Sequence, residues 1–556
     1  MRLGGTFFLL FLLYLGIFEN MFAILLALLA PLALEGPPQN DVLRGFGGGS
    51  QKVPLATSGY GGGVGSTNRG VDHATVAMND KRDIVVAYHA ERTGTGYGDL
   101  KQVEIAYYEY QDNAGLDTWV HLDTILLGGI DWHPIPGLPQ QKTRCERPDV
   151  VAVRDKFFVV WTRRYESDLG LSGQDNGPAV IECAWVERAG AQQPYKVQTY
   201  PDFQDPQYPT KGLGFELDAH SPASGSNLFA KECLGVADAV PLLDGNEYKV
   251  AVAYPHQTDI SSPGNLNRNF KMRLVTCKLD LSNPTSPQVM IDNAVKELPQ
   301  SIVFNGDTSP GPTPSAGLIL PDLAPSSLEN SFWLAYEGQV ENASGYPNGR
   351  IRLEYWTLED ATNNTWVSTF GTTYKGAANS KAYVRRRPNN SSYPPSSSPG
   401  GEQMVSLAFN RRATDPAIPD QTAQVIYTEA IWQNGSSTQP PPPMVVGWTN
   451  LPSNHDGKPT VVRGRDSPYI RRCFADRDPV APPPPSSLCE ILSFNDITQV
   501  YSTIDSILVP PASGAIGRPA ADYHYESTAT NPDYIPVTWE RKFNVGDPLE
   551  IWLGVE

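Results

Sequence analysis

Charged side chains are scarce: Asp, Glu, Lys and Arg make up 19% of the 556 residues, against a usual share of ~25%. Basic residues are the rarer kind, 43 against 60 acidic, which leaves a formal charge of −17. A surface of that sign repels phosphate and excludes a general nucleic-acid binder. Histidine (8) and cysteine (6) are also few, and no C-x-x-C, H-E-x-x-H or i, i+4 histidine pair occurs. No metal ligand set is therefore expected. G-x-S-x-G, Walker and dinucleotide fingerprints are missing, and the Gly61–Gly65 run lacks the Lys-Ser/Thr of a phosphate loop. The common hydrolase and nucleotide readings fall away, and no cofactor is expected. Beyond residue 34 no apolar run is long enough to cross a bilayer.

Turn formers and aromatics are plentiful instead. Proline (50) and glycine (49) stand beside 25 Tyr and 11 Trp, and apolar residues reach 40%. A large core can form, and the profile suits a loop-rich β protein. The length exceeds one ordinary domain, so the chain is either several domains or one repetitive architecture.

Residues 1–34 differ in kind. Met1-Arg2 precedes an apolar run from Phe7 to Leu15, and after Glu19-Asn20 a second run extends from Met21 to Leu34. A signal peptide, a retained membrane anchor (a possible tether), a start at Met21 and a buried helix all remain open. Either of the first two puts the body outside the cytoplasm, as a secreted, periplasmic or membrane-anchored protein. An even cysteine count agrees with an oxidising compartment. Cys473 and Cys489 flank the Pro-rich segment Asp478–Ser487, and a disulfide between them would close a short loop. Cys145 and Cys183, then Cys233 and Cys277, occupy similar places in successive repeats; their partners are open, buried thiols among the alternatives.

One unit recurs six times: a short apolar strand, a polar turn, then a β-branched run ending in an aromatic residue. Those runs end at Tyr88, Trp161, Tyr254, Tyr336, Tyr427 and Trp539, spaced by 73, 93, 82, 91 and 112 residues. Third strands follow, such as Val103–Tyr110 and Ala179–Val186, and a fourth can be drawn in most units. Four antiparallel strands repeated in this way give an all-β fold, a six-bladed β-propeller. Paired β-sandwiches would explain the strands but not the recurrence. The last unit stops after its third strand, Leu549–Val555, so Gln51–Ala56 or a nearby segment is expected to close the ring. Residues 35–50 read as a Gly/Pro-rich linker and 51–556 as a single propeller with long Pro-rich loops.

Arg147-Pro148-Asp149 followed by Val159-Val160-Trp161-Thr162, and Arg518-Pro519 followed by Val537-Thr538-Trp539-Glu540, resemble the repeats of six-bladed sialidase-like (BNR-repeat) propellers. The resemblance is one of fold over residues 70–556. It implies an arginine cluster gripping a substrate carboxylate, here Arg147 and Arg518. The family's Asp-box, S-x-D-x-G-x-x-W, does not occur.

In a propeller the first strand of each unit lines the central channel. Asp72, His73, Arg147, Asp149, Asp322 and Arg518 open those strands. Arg147, Arg518, His73 and Asp149 are the expected ligand-binding set, since guanidinium forks match an anionic group. After the terminal aromatics come His89, Glu91, Arg163, His256, Glu337, Glu429, Glu540 and Arg541. Their carboxylates suggest an acid–base pair for glycoside cleavage, and His89 and His256 suggest bases for a polysaccharide lyase. Two functions stay open. One is an extracytoplasmic binding or scaffold module for a protein or acidic glycan partner. The other is a carbohydrate-active enzyme, a sialidase-like glycoside hydrolase or a polysaccharide lyase, with its site at the channel mouth.

Overall fold

Strands that are apolar on both faces need a sheet packed on each side. Ile84–Tyr88 and Phe157–Trp161 are of this kind, and every residue in both runs is buried. The computed structural model describes residues 42–44, 50–56, 70–91, 101–113, 116–129, 143–165, 179–188, 195–198, 214–219, 232–258, 270–283, 287–304, 320–326, 328–340, 348–376, 383–386, 402–412, 423–433, 445–446, 460–463, 471–477, 487–495, 500–509, 515–522, 534–542 and 547–555. The expected signal peptide or anchor lies outside them.

Among the described residues there are seven antiparallel sheets of four or five strands. The first comprises Val71–Met78, Ile84–Glu91, Lys101–Asn113 and Leu116–Gly128, with Val42–Arg44 on its outer edge; the second is built on Thr143–Val153, Lys156–Tyr165 and Ala179–Arg188. The third begins with Glu232–Leu234 and Asp238–Leu242, both paired to Tyr248–Thr258, and the fourth with Asp322–Pro325 beside Ser331–Val340. The inner strands adjoin one another in chain order, and that of the seventh sheet, Ala515–Ala521, returns beside Val71–Met78. The fold is a β-propeller. Its core is a series of layers between neighbouring sheets: Val86 and Tyr88 pack with Tyr534 and Leu553, and Phe158 and Trp185 with Val252 and Cys277.

The expected closing strand is present. Ser50–Lys52 pairs antiparallel with Glu550–Val555, Ser50 opposite Gly554 and Lys52 opposite Trp552. Lys52 Nζ also meets Glu550 at 2.6 Å.

Among the described residues the expected six blades become seven sheets. The additional sheet consists of Thr460–Arg463, Arg471–Arg477, Ser487–Asn495 and Val500–Val509, where a Pro-rich loop was expected over Arg471–Ser487. In the fifth sheet the innermost strand is Tyr383–Arg386, so the Met404–Ala408 run belongs to the second strand.

The expected Cys473–Cys489 disulfide does not fit this hairpin. Cys473 stands opposite Phe494, five residues along the partner strand from Cys489. That offset spans roughly 17 Å at strand spacing, and a disulfide needs Cα atoms within ~7 Å. Cys145, Cys183 and Cys277 are free and buried, and Cys233's side chain lies outside the described residues. Burial, aided by a hydrogen bond with Cys277, pushes the Cys183 thiol well above its ordinary value. These three thiols are expected to resist iodoacetamide in the folded protein and to react only after unfolding. Peptide mass mapping after native labelling checks this; alkylation of all three in the folded state would refute it.

Candidate functional site

The channel holds a cavity of about 230 Å³, lined by inner strands of the first, second, third, fourth and seventh sheets. His73, Arg147, Asp149 and Asp322 are all part of its wall. Arg518 lies on the seventh inner strand, whose Ala520 and Ala521 line the channel; its side chain is outside the described residues.

Three inner strands carry the same irregularity. In the first sheet Asp72 pairs with His89 and Thr75 with Ala87, so His73 and Ala74 together oppose Tyr88. In the second, Arg147 and Pro148 oppose Trp161; in the seventh, Arg518 and Pro519 oppose Trp539. These are β-bulges, which turn a strand and re-aim its side chains. His73 (φ 52°) and Arg147 (φ 48°) adopt the left-handed region, which costs a residue with a Cβ on the order of 1–3 kcal/mol. His73, Arg147 and Arg518 therefore hold one equivalent position in three consecutive sheets. Val236 and Leu320 stand at the corresponding distance before Asp238 and Asp322, so the basic character is confined to one arc among these sheets.

The bulges at His73 and Arg147 are held by the preceding sheet, through the residue that follows its terminal aromatic, and the same position of the second sheet grips the third. Glu540 Oε1 accepts the backbone N–H of His73 at 2.8 Å. His89 Nδ1 accepts that of Arg147 at 3.2 Å. Thr162 Oγ1 donates to Gly235 O at 3.1 Å and accepts from Ala237 N at 3.3 Å. All three side chains belong to buried residues. Buried N–H groups demand such acceptors.

A second belt runs beneath. Thr75, Asp149, Asp238 and Asp322 pair with Ala87, Val160, Ala253 and Ala335, each directly before a terminal aromatic. Thr75 Oγ1 donates to Pro148 O at 3.3 Å. Asp149 Oδ2 accepts from Ala239 N at 3.1 Å, and Asp238 Oδ2 from Leu323 N at 2.6 Å. Asp149, expected to meet a ligand, thus joins the second sheet to the third.

His89 is 3% exposed. Since Nδ1 accepts, the ring carries its proton on Nε2, which lies against Asp72. Lys101 Nζ reaches the same carboxylate at 2.9 and 3.2 Å, and His73 Nδ1 stands 3.5 Å from it. Burial holds His89 well below the ordinary imidazole value, against the pull of Asp72. Although no metal was expected, the donor atoms of Asp72, His73 and His89 converge within 4.8 Å. The set does not fit a metal. A ligating His89 Nε2 would put the proton on Nδ1, facing the Arg147 N–H, whereas metal-bound histidines give that proton to an acceptor. The Lys101 ammonium already occupies the cation's place on Asp72.

The remaining sequence candidates are dispersed. Arg163 and Glu182, both wholly buried, form a two-pronged ion pair with bonds of 2.9 Å. His256, 1% exposed, stands 3.4 Å from Glu297 and is not part of the channel wall described above. Arg541 bonds Asp505 at 3.2 Å and covers the Trp552 ring. Glu91 is exposed; the side chains of Glu337 and Glu429 lie outside the described residues.

No family model matches the chain, and neither does any curated protein. Among solved structures it is similar to the Trypanosoma rangeli sialidase in complex with sialic acid, at 13% identity and a TM-score of 0.41, over 77% of this chain and 57% of that one. The parainfluenza virus 5 hemagglutinin-neuraminidase ectodomain gives 10% and 0.32 over 91% and 97%. A protein of unknown function from Dyadobacter fermentans gives 10% and 0.31 over 91% and 98%. The chain spans a little over half the length of the trypanosomal sialidase. The propeller rests on its own strand pairing and not on these likenesses.

Proposed function

We propose that this propeller is a binding module whose channel mouth takes an acidic glycan, through Arg147, Arg518 and His73. The observation that carries the reading is the shared bulge: three consecutive sheets place a basic residue at one position, two of them in a strained backbone. Strain of this kind persists where neighbours enforce it, and it clusters at ligand sites. A guanidinium meets a carboxylate or sulfate with two parallel hydrogen bonds, and a concave opening strengthens its field. The chain's net charge of −17 makes a local basic arc distinctive. Binding is favoured over catalysis because Glu540 and His89, two of the groups suggested as acid or base, are engaged by backbone N–H groups. The apolar N-terminus supports an extracytoplasmic place for such a module.

Titration calorimetry with oligogalacturonate and with a sulfated galactan oligosaccharide tests the reading and separates the two anions. The methyl-esterified and desulfated forms are the uncharged controls. Arg147→Ala and Arg518→Ala are each expected to weaken binding about 30-fold, the equivalent of ~2 kcal/mol. Absence of binding, or equal binding of the uncharged forms, would overturn the proposal. Progressive shortening of either oligosaccharide would favour the enzyme reading instead.

A further inference from the structure

Glu540, Thr162 and His89 do the same work, yet protonation affects them differently. A protonated carboxyl still has an oxygen to accept with, and a hydroxyl does not titrate in this range. Imidazole alone exchanges an acceptor for a donor. Once His89 is charged, its Nδ1–H faces the Arg147 N–H across what is now a 3.2 Å hydrogen bond, and two donors repel.

We propose that His89 is a proton-sensitive positioning residue for Arg147: neutral, it holds the bulge that aims the guanidinium at the channel mouth, and protonated, it releases that bulge. The groups facing His89 are Asp72 and His73 from Val71–Met78, Lys101 from Lys101–Asn113, and Arg147 from Thr143–Val153. Asp72 is the only anion among them, and it is shared with Lys101. The cations and the burial oppose protonation, so the clamp is closed at neutral pH and opens only in acid. The sign is distinctive. Charging His73 on its own would strengthen anion binding as pH falls, whereas release of Arg147 weakens it.

The consequence for a ligand rests on the acidic-glycan reading; the clamp itself does not. Amide hydrogen exchange, corrected for its intrinsic pH dependence, is followed in the intact protein from about pH 7.5 down to about 4. Exchange at Arg147 is expected to speed up roughly tenfold or more in acid, while Ser331–Val340 in the fourth sheet stays protected. His89→Asn puts an oxygen near the place of Nδ1 and cannot titrate, so Arg147 should exchange at one rate across the range. His89→Leu should exchange fast throughout. Affinity for the sulfated galactan oligosaccharide, whose charge is constant over this range, should fall with the same midpoint in the wild type. A flat exchange profile at Arg147 in the wild type, or loss of protection at Ser331–Val340 at the same pH, would overturn the clamp. If exchange steps as expected while the oligosaccharide never binds, the clamp stands and the acidic-glycan reading falls.

Discussion

Glu182→Leu is expected to destabilise the protein by about 3–5 kcal/mol, the usual result of removing one partner from a buried ion pair. Glu182 is wholly buried and accepts from Arg163 Nε and Nη2 at 2.9 Å and from Trp161 Nε1 at 2.7 Å. Leucine removes the carboxylate bonded to the buried guanidinium, leaving the more weakly coupled Glu216 as an anion in its field and Gly129 O at 2.7 Å among its acceptors. The indole N–H loses its acceptor as well. Urea unfolding followed by Trp fluorescence supplies the measurement, and a loss below ~1 kcal/mol would refute the argument. The double variant Arg163→Met, Glu182→Leu should recover most of the stability, because replacing both charges by apolar groups removes the desolvation cost as well as the attraction.

Asp238→Ala is expected to cost about 2–3 kcal/mol, the range for a hydrogen bond to a charged group whose loss strands a buried donor. Asp238 is 5% exposed, and its carboxylate receives Leu323 N–H at 2.6 Å, across the seam between the third and fourth sheets. The cost falls on packing between sheets and not on the pairing within either. Asp238→Asn retains an acceptor and should lose less than half as much. Thermal unfolding of the three proteins gives the ranking; equal stability of the Ala and Asn variants would show that the carboxyl oxygen contributes little at the seam.

The ring was largely readable from the chain because the signal is repeated burial. Tyr88, Trp161, Tyr254 and Tyr336 each end a run buried on both faces, and such runs recur only where sheets stack radially. The closing strand was readable because Glu550–Val555 would otherwise present an open edge. The sixth sheet was missed because its second strand, Arg-Arg-Cys-Phe-Ala-Asp-Arg, has no apolar run ending in an aromatic. The signal available was the 112-residue interval between Tyr427 and Trp539, long enough for another sheet.

Arg147 and Arg518 could be matched through Arg-Pro and His73 as a residue opening an equivalent strand, while the bulge common to all three emerged only from strand pairing. His89 and Glu540 looked catalytic by residue type, and pairing showed each holding a neighbour's backbone N–H. Which atom a side chain reaches depends on packing between sheets, here 58 and 467 residues apart along the chain, which no local pattern encodes. Their common place, one residue past the terminal aromatic, was the clue in the sequence.

The pairing of Ser50–Lys52 with Glu550–Val555 determines how the molecule yields to a pull. Ser50 lies opposite Gly554, so the chain enters and leaves this ribbon at the same end. Tension applied at Ser50 and Val555 acts across the hydrogen bonds one after another, beginning at Ser50, instead of shearing them all together. The Lys52–Glu550 contact, at the far end of the short strand, is loaded last. Pulled at Ser50 and Val555, the ribbon should open as a zipper at low force, with the sheets from Val71 to Trp539 losing their ring only after that seam has parted.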